Sequence, residues 1–185
     1  KESLKTALLC YIYYPDMIDY CLSYAKNLPS WVDIYIFTVD PQVSEKVGET
    51  FAALPNRVTV RCKENRGQLA SAVLISGKDI FEKYDLVCIT QAKKSSQLVD
   101  RFSSELFCNH CWDGVLKSKS YVLNVIQSFY ENPRMGYCCT MPAHWGDFKS
   151  LVGQEINCNL DNMKNLLNRL KIKVPFDDEP IASYG

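Results

Sequence analysis

The sequence lacks net charge and has almost no histidine. It holds 21 lysines and arginines against 21 aspartates and glutamates, and its histidines are His110 and His144. Without a positive field, the chain has nothing to gather nucleic acid or to hold it on an acidic membrane surface. Two histidines leave little material for a Ser-His-Asp or Cys-His hydrolase, and no nucleophile elbow surrounds a serine. We therefore exclude nucleic-acid binding and hydrolysis.

Long apolar runs, internal repeats and low-complexity segments are also missing. No apolar run approaches the length of about 20 residues that a membrane-spanning helix needs. The apolar stretch at residues 7–14 is followed by Pro15 and Asp16 instead of a small-residue cleavage site. This stretch is predicted to be a strand, not a signal peptide, and the chain is predicted to have no transmembrane segment.

Cysteine is plentiful, with nine residues in the chain. The number is odd, Cys138 and Cys139 are adjacent, and several others lie inside apolar runs. This usage is typical of small buried thiols in a reducing compartment, not of a disulfide framework. We therefore expect a cytoplasmic protein.

Apolar, β-prone stretches alternate with helical patterns in the first half of the chain. Strands are predicted at residues 7–14, 32–39, 57–62 and 85–90, and helices at the three intervals, the last interrupted near Gly77. Right-handed crossovers then give an α/β fold with a mostly parallel, twisted sheet and helices on both faces. We expect the strand order 3-2-1-4 and a single domain over residues 1–185.

The second half is predicted to be more helical. Helices are expected at residues 97–112, 120–130 and 156–170, the last capped by Asn159 or Asp161. A late strand is expected at residues 134–141.

A ligand site is predicted where the strand order reverses, since parallel α/β sheets bind ligands beyond the carboxyl ends of their strands at that point. The loops leaving the first and fourth strands there are Tyr13-Tyr14-Pro15-Asp16 and Gln91-Ala92-Lys93-Lys94-Ser95. Two adjacent ammonium groups suit a diphosphate. Each contact would contribute about 4 kcal/mol at ~4 Å and a dielectric near 20, before desolvation. The alternative is that both lysines belong to a solvated turn.

The turn Asn65-Arg66-Gly67 has two interpretations as well. Gly67 can serve a positive-φ turn in which Asn65 bonds its own backbone and Arg66 faces solvent. Alternatively, the turn supplies polar edges for a base or ribose, with Arg66 as a planar donor.

These segments, in this order and spacing, resemble the rhamnan synthesis protein F family. The resemblance rests on Tyr13-Tyr14-Pro15-Asp16, Asn65-Arg66-Gly67, and Tyr84-Asp85-Leu86-Val87 running into Lys93-Lys94-Ser95. It covers nearly the whole chain and implies a nucleotide-sugar transferase of GT-A-like, Rossmann-like fold. Family members are regarded as glycosyltransferases of surface-polysaccharide assembly, so rhamnan or lipopolysaccharide O-antigen synthesis is implied. Residues 175–185 resemble the approach to a further family segment, so we expect a fragment of a longer protein.

The resemblance implies transfer of a sugar such as rhamnose from a nucleotide-diphosphate donor to a glycan acceptor. Many transferases of this sheet type neutralise the departing diphosphate with Asp-x-Asp and a divalent metal, but here that place reads Gln91-Ala92-Lys93. Lysines can supply the charge instead, so a metal is compatible with the sequence but not indicated. Asp16 and Asp178 are the candidate bases, and for each the alternative is a solvated loop carboxylate.

The sequence departs from the family pattern in three places. The family often has a histidine where Tyr11 stands, a polar residue and an aspartate where Gln68 and Leu69 stand, and a histidine where Gln91 stands. In each place an ionisable group is replaced by one that does not titrate near neutrality. A non-catalytic carbohydrate or nucleotide-sugar binding module therefore remains the alternative function.

Two further motifs each have a functional interpretation and a packing interpretation. Cys108 and Cys111 lack the second ligand pair of a structural zinc site, and their neighbours indicate packing. Trp145 follows the predicted late strand and offers either a ring for sugar stacking or ordinary burial. Because surface-glycan acceptors are lipid-linked, peripheral contact with the inner membrane face is compatible with the family, although no basic amphipathic helix is evident.

Overall fold

The structure is a computed structural model that describes residues 4–94, 101–140, 162 and 164–173, with the side chains of residues 101–105 and 107 left out. These residues fall into two compact units, one ending at Cys138 and the other beginning at Cys139. The second unit contributes a helical segment at residues 164–170. All strands and helices named below belong to the first unit.

A four-stranded parallel sheet forms the centre of the first unit. Its strands are β1 (Thr6–Tyr11), β2 (Asp33–Thr38), β3 (Val58–Cys62) and β4 (Leu86–Gln91), in the order β3-β2-β1-β4. Every residue of β1 is buried, as the unbroken apolar run predicts for a central strand. The predicted α/β class and strand order are confirmed.

Helices connect the strands and follow the sheet. They are α1 (Ile18–Ala25), α2 (Pro41–Phe51), α3 (Gln68–Ser71), α4 (Lys78–Lys83), α5 (Arg101–Leu116) and α6 (Lys119–Glu131). Asp40 caps α2 by accepting from the N–H groups of Gln42 and Val43, and Pro41 takes the first helical position. Ser118 caps α6 in the same way through the N–H of Tyr121.

Helical segments cover both faces of the sheet. On one face, Leu9 of β1 belongs to a buried cluster with Ala72 and Ile80, which lie in the connection between β3 and β4. On the other face, the next residue, Cys10, contacts Cys21 of α1. Because neighbouring residues of a strand point to opposite faces, the two contacts place helices on both sides.

The helical connection between β3 and β4 is irregular, as the sequence predicts. A π-helical segment (Ala72–Ser76) separates α3 from α4, and Gly77 ends it. A Cβ on Gly77 would lie 2.7 Å from the Ala72 carbonyl oxygen and 2.9 Å from the Leu9 Cδ1 atom. Glycine at this position therefore lets the connection pack closely on β1.

The predicted late strand at residues 134–141 is wrong. Arg134 lies in a turn, and residues 135–140 form no strand; Met141 lies outside the described residues. Tyr137 is 58% exposed, so the segment has the side chains of a strand without the burial that would favour one. Composition that favours a pleated, half-buried surface does not form a strand without a partner edge.

The other helix predictions differ from the structure mainly at their ends. The helix predicted at 97–112 corresponds to α5, which runs on to Leu116, and residues 97–100 lie outside the described residues. Of the helix predicted at 156–170, residues 164–170 are helical, while its proposed caps Asn159 and Asp161 are not described. Among the parts of the chain that the structure describes, no helix is long and apolar enough to cross a membrane.

A side-chain ion pair ties the edge strand β3 to α4. Arg61 donates two hydrogen bonds of 2.7 Å to the two carboxylate oxygens of Asp79. Its guanidinium also lies 5.2 Å from the ring centroid of Tyr35, on β2. The hydrogen bonds from Arg61 lower the pKa of Asp79, because they favour the ionised carboxylate.

Replacing Gly77 by alanine is expected to destabilise the protein, since the added methyl group must displace backbone and a core leucine. We expect the free energy of unfolding to fall by about 1–3 kcal/mol, the usual cost of overpacking. Gly48→Ala is the matched control, because a Cβ there meets nothing within 4 Å. Gly48 lies within α2, so this variant should gain about 0.5–1 kcal/mol. Equal effects of the two substitutions in urea unfolding would contradict the close approach at Gly77.

Asp79→Asn is expected to lower stability in a pH-dependent way. Because the folded-state pKa of Asp79 is depressed, its contribution is present above the ordinary pKa and disappears as the pH falls through the folded value. We expect a loss of about 0.5 kcal/mol at pH 7, since the carboxylate is largely exposed. The difference from wild type should shrink between about pH 5 and pH 3 in denaturant unfolding. The control is Glu82→Gln, which removes only a 3.7 Å pair with Lys78; a pH-independent loss for Asp79→Asn would contradict the assignment.

Candidate functional site

The loops that leave β1 and β4 begin side by side. Tyr11 pairs with Gln91 at the last position of the two strands, and the N–H of Ala92 donates to the Tyr11 carbonyl oxygen at 2.8 Å. After these residues, both segments of the chain leave the sheet at the same edge. The register alone therefore brings the two predicted loops to one crevice.

Residues of the two loops contact each other across this crevice. The Lys94 ammonium forms an ion pair with the Asp16 carboxylate and lies 5.9 Å from the ring centroid of Tyr14. The Lys94 and Asp16 side chains are 48% and 57% exposed, so a solute can reach both. Lys94 follows Asp16 by 78 residues in sequence, and the fold brings it beside Asp16 and Tyr14.

Tyrosines form the rim of the crevice on the β1 side. The rings of Tyr13 and Tyr14 meet edge to face, with centroids 5.0 Å apart. Tyr13 is 40% exposed. Pro15 then opens a single 3-10 turn (Pro15–Met17) that leads into α1. The rim thus presents a fixed aromatic surface beside the Lys94 charge.

The β4 side of the crevice contacts helix α5. The Gln91 carbonyl oxygen accepts a 3.2 Å hydrogen bond from the indole Nε1 of Trp112, which is 2% exposed. Lys93 is exposed. Burial raises the pKa of the Cys111 thiol to about 11, and the positive charge of Lys93 opposes this rise. Of the remaining predicted site residues, Ser95, Trp145 and Asp178 lie outside the described residues.

The turn after β3 has the conformation that its glycine predicts. Gly67 has a φ of +71°, and a Cβ there would lie 2.8 Å from the Ser71 Cβ atom. The hydroxyl of Ser71, the last residue of α3, donates to the Arg66 carbonyl oxygen at 2.5 Å, which ties the turn to that helix. The side chains of Asn65 and Arg66 remain exposed.

Lys63 is a site residue that sequence analysis missed. Its ammonium donates to the carbonyl oxygens of Glu64 at 2.8 Å and Arg66 at 3.0 Å, and lies 5.5 Å from the ring centroid of Tyr11. Lys63 therefore links the turn after β3 to the end of β1, across β2. Its position could have identified it, because Lys63 is the first residue after a strand at the predicted binding edge.

Within residues 4–94, no hydrogen bond or ion pair joins the side chain of Arg66 to Lys94. The structure therefore unites Tyr14, Asp16 and Lys94 directly, and it brings the Asn65-Arg66-Gly67 turn to the same edge through Lys63 and Tyr11.

Tyr11 sits beneath this edge as a buried phenol. It is 4% exposed, and its hydroxyl has no hydrogen-bond partner among the described residues. Burial, with smaller contributions from Tyr13 and Tyr14, raises the pKa of Tyr11. The group is thus a neutral phenol at physiological pH, so it is not a proton acceptor there.

Metal-ligating side chains do not converge in the described parts of the chain: no group of three or more His, Cys, Asp and Glu residues there could hold an ion. Cys108 and Cys111 are both buried in α5.

A comparison with protein-family models decides the identity of the chain. The model described as rhamnan synthesis protein F matches residues 1–185, the whole sequence. The chain belongs to the rhamnan synthesis protein F family. No curated protein and no solved structure matches it.

Family membership confirms the resemblance and associates the protein with rhamnan synthesis. In this member of the rhamnan synthesis protein F family, two of the residues that differ from the family pattern lie in or against the buried cluster. Leu69 packs against the buried cluster of β1 and β2, and Tyr11 belongs to that cluster. Gln91 remains at the crevice, where its backbone carbonyl binds Trp112. Tyr11 thus belongs to the core, Leu69 packs against it, and Gln91 lies at the crevice.

Proposed function

We propose that this rhamnan synthesis protein F family member is a glycosyltransferase domain. It transfers a sugar such as rhamnose from a nucleotide-diphosphate donor to a glycan acceptor, with the donor held between the exits of β1 and β4. The observation that carries the proposal is the ion pair of Lys94 and Asp16 beside Tyr14, because it joins a phosphate-binding cation to a carboxylate at an accessible point.

The strand order supports this location. The chain moves from β1 to β2 to β3 in one direction and then returns past β1 to β4, so the order reverses between β1 and β4. Nucleotides bind at this reversal in doubly wound α/β folds, and 3-2-1-4 is the first part of their classic strand order 3-2-1-4-5-6. We assign a GT-A-like, Rossmann-like fold to residues 1–185 as one domain on this basis and on the extent of the family match.

The charges of the crevice suggest how donor binding and catalysis are coupled. A diphosphate carries more charge than one carboxylate, so it competes with Asp16 for the Lys94 ammonium. Lys94, with Lys93 beside it in sequence, then neutralises the departing diphosphate. Asp16, released from its ion pair, becomes available to accept the proton of the acceptor hydroxyl. Asp178 remains a candidate base that lies outside the described residues.

The remaining predicted residues suit recognition of the nucleoside. Tyr13 and Tyr14 offer amphipathic rings at the rim, on which a base can stack. The Asn65-Arg66-Gly67 turn presents exposed polar side chains at the same edge, and the planar guanidinium of Arg66 is suited to ribose or base oxygens. The acceptor is a glycan, and a lipid-linked one would bring the cytoplasmic domain to the inner membrane face.

A non-catalytic nucleotide-sugar or carbohydrate binding module is the second candidate. The observation that favours it is Gln91, which stands at the crevice where a titratable side chain is usual in the family pattern, while Tyr11 is buried and Leu69 is partly buried. Such a module would retain donor binding and lack turnover. Release of free nucleoside diphosphate from a labelled thymidine-diphosphate rhamnose donor, by the full-length protein with acceptor glycan, separates the two candidates. Parallel reactions with and without chelator report on a divalent metal.

Replacing Lys93 and Lys94 together by methionine is expected to weaken nucleoside-diphosphate binding at least tenfold. The variant removes both charges and keeps the length of the side chains, so lost attraction for phosphate is the expected cause. Isothermal titration calorimetry with thymidine diphosphate measures the effect. Lys46→Met is the matched control, since Lys46 lies exposed on α2. Unchanged affinity in the double variant, with donor still consumed, would show that other groups hold the diphosphate.

Asp16→Asn is expected to separate binding from turnover. Without its carboxylate partner, Lys94 is free for phosphate, so thymidine diphosphate should bind two- to fivefold more tightly, within the range of an exposed ion pair. Turnover should fall at least a hundredfold if Asp16 is the base. Asp19→Asn, an exposed carboxylate one helical turn further on, is the control. Tighter binding with normal turnover would assign the base elsewhere, and weaker binding would contradict the competition for Lys94.

A further inference from the structure

A second concave surface lies on the α1 and α5 side of the sheet, and none of the crevice-loop residues lines it. It is an open groove of about 380 Å³, lined by Tyr20, Ser23, Tyr24, Asn27, Asp113 and Lys117. A volume in this range is typical of sites for small organic ligands. None of these residues was a candidate in the sequence analysis.

The groove has a rigid aromatic wall. The rings of Tyr20 and Tyr24 lie 5.2 Å apart and rest on Trp112, at 5.6 Å and 5.3 Å between centroids. Trp112 itself is buried. Both tyrosines are partly exposed, so each combines a fixed position with an accessible surface. Rings held this way lose little entropy when a ligand packs on them.

The tyrosine hydroxyls are already engaged. Tyr20 donates to the Asn109 Oδ1 atom at 2.9 Å, and Tyr24 donates to the Asp113 Oδ1 atom at 2.9 Å. Burial, followed by the hydrogen bond to Asp113, raises the pKa of Tyr24 to about 12, so Tyr24 remains a donor at neutral pH. The tyrosines therefore contribute ring surface to the groove and also hold the Asp113 carboxylate in place.

Three polar groups of the groove keep binding capacity. Asn27 uses its amide nitrogen on the Leu116 carbonyl oxygen at 2.8 Å, which leaves its Oδ1 oxygen without a partner in the described structure. The Asp113 Oδ2 oxygen and the Lys117 ammonium likewise have no partner among the described residues. The groove therefore offers two acceptors and one cationic donor beside an aromatic wall.

This combination favours a neutral sugar over other ligands. An anion would face the Asp113 carboxylate, and a purely apolar ligand would bury Asp113 and Lys117 without hydrogen bonds. A saccharide ring has an apolar face for the tyrosines, and its hydroxyls both donate to carboxylate or amide oxygens and accept from an ammonium.

The groove begins close to the proposed donor crevice. Tyr20 follows Asp16 by four residues and Asn27 by eleven, which is roughly 6 Å and 16 Å along a helical path at about 1.5 Å per residue. Trp112, beneath the tyrosines, also binds the Gln91 carbonyl oxygen at the end of β4. The groove thus begins about 6 Å beyond Asp16 and extends along the α1 side for roughly 10 Å, a length that suits about two sugar units.

We propose that the α1–α5 groove is the acceptor subsite, which binds the rhamnan-type saccharide that receives the sugar. The inference rests on the proposed function for its ligand class. Tyr20 and Tyr24 carry the apolar faces of the sugar rings, while Asn27, Asp113 and Lys117 bind hydroxyl groups.

The test is saccharide binding by the full chain in the absence of any donor. A rhamnose disaccharide is titrated into wild type, Asp113→Asn and Lys117→Met, with affinity measured by calorimetry or NMR shifts. Asp113→Asn keeps the acceptor for Tyr24, so the groove should retain its shape. We expect about fivefold weaker binding for each variant, the effect of one hydrogen bond to a sugar hydroxyl. Asp19→Asn and Lys26→Met, exposed on α1, are the matched controls and should bind normally.

The outcomes separate this inference from the proposed function. Disaccharide binding that is equal in wild type and both groove variants overturns the groove assignment, as does no binding to wild type. Thymidine diphosphate should bind all groove variants with unchanged affinity, which also shows that they are folded. Conversely, loss of turnover or of lysine-dependent diphosphate binding would affect the donor assignment and leave saccharide binding in the groove intact.

Discussion

Parallel pairing of β1 with β4 is the constraint on which the rest of the structure depends. The connection from β3 returns the chain past β2 and β1, so β4 joins the opposite edge of β1 from β2. Only this arrangement puts Tyr11 beside Gln91 and aims the two following loops at each other. The close approach of the irregular helical connection to Leu9, through Gly77, is what lets that return path lie flat on the sheet. Packing on one face thus determines which loops meet at the edge.

The cations at this edge are positioned by local acceptors. Lys94 is held by Asp16, and Lys63 by the carbonyl oxygens of Glu64 and Arg66. Such pairing neutralises the crevice and fixes long side chains that otherwise lose considerable entropy on binding. The protein also carries no net positive charge that would attract an anion to the neutralised crevice. In the function that we propose, recognition of an anion at the edge therefore depends on exchange of partners at Lys94, not on a general positive field.

Sequence predicts the architecture well and the site in part. Alternating strand and helix patterns, with right-handed crossovers, are enough to give the order 3-2-1-4 and the loops at its reversal. The meeting of the two loops follows from that order, but the ion pair of Asp16 with Lys94 and the reach of Lys63 to Tyr11 depend on side-chain directions, which no local pattern records. The strand predicted at residues 134–141 fails for a related reason: β-propensity describes a suitable surface, while pairing requires an available partner.

Trp112 connects the two proposed subsites more directly than any loop does. Its indole N–H binds the Gln91 carbonyl oxygen where the donor crevice begins, and its ring supports Tyr20 and Tyr24 in the groove. A buried ring with its polar atom satisfied is a rigid support, because both its packing and its hydrogen bond restrict rotation. Any movement of the β4 exit must therefore move or strain the tyrosines as well. In a transferase this is a useful arrangement, since donor and acceptor must approach to about 3 Å for reaction and a shared support fixes their separation.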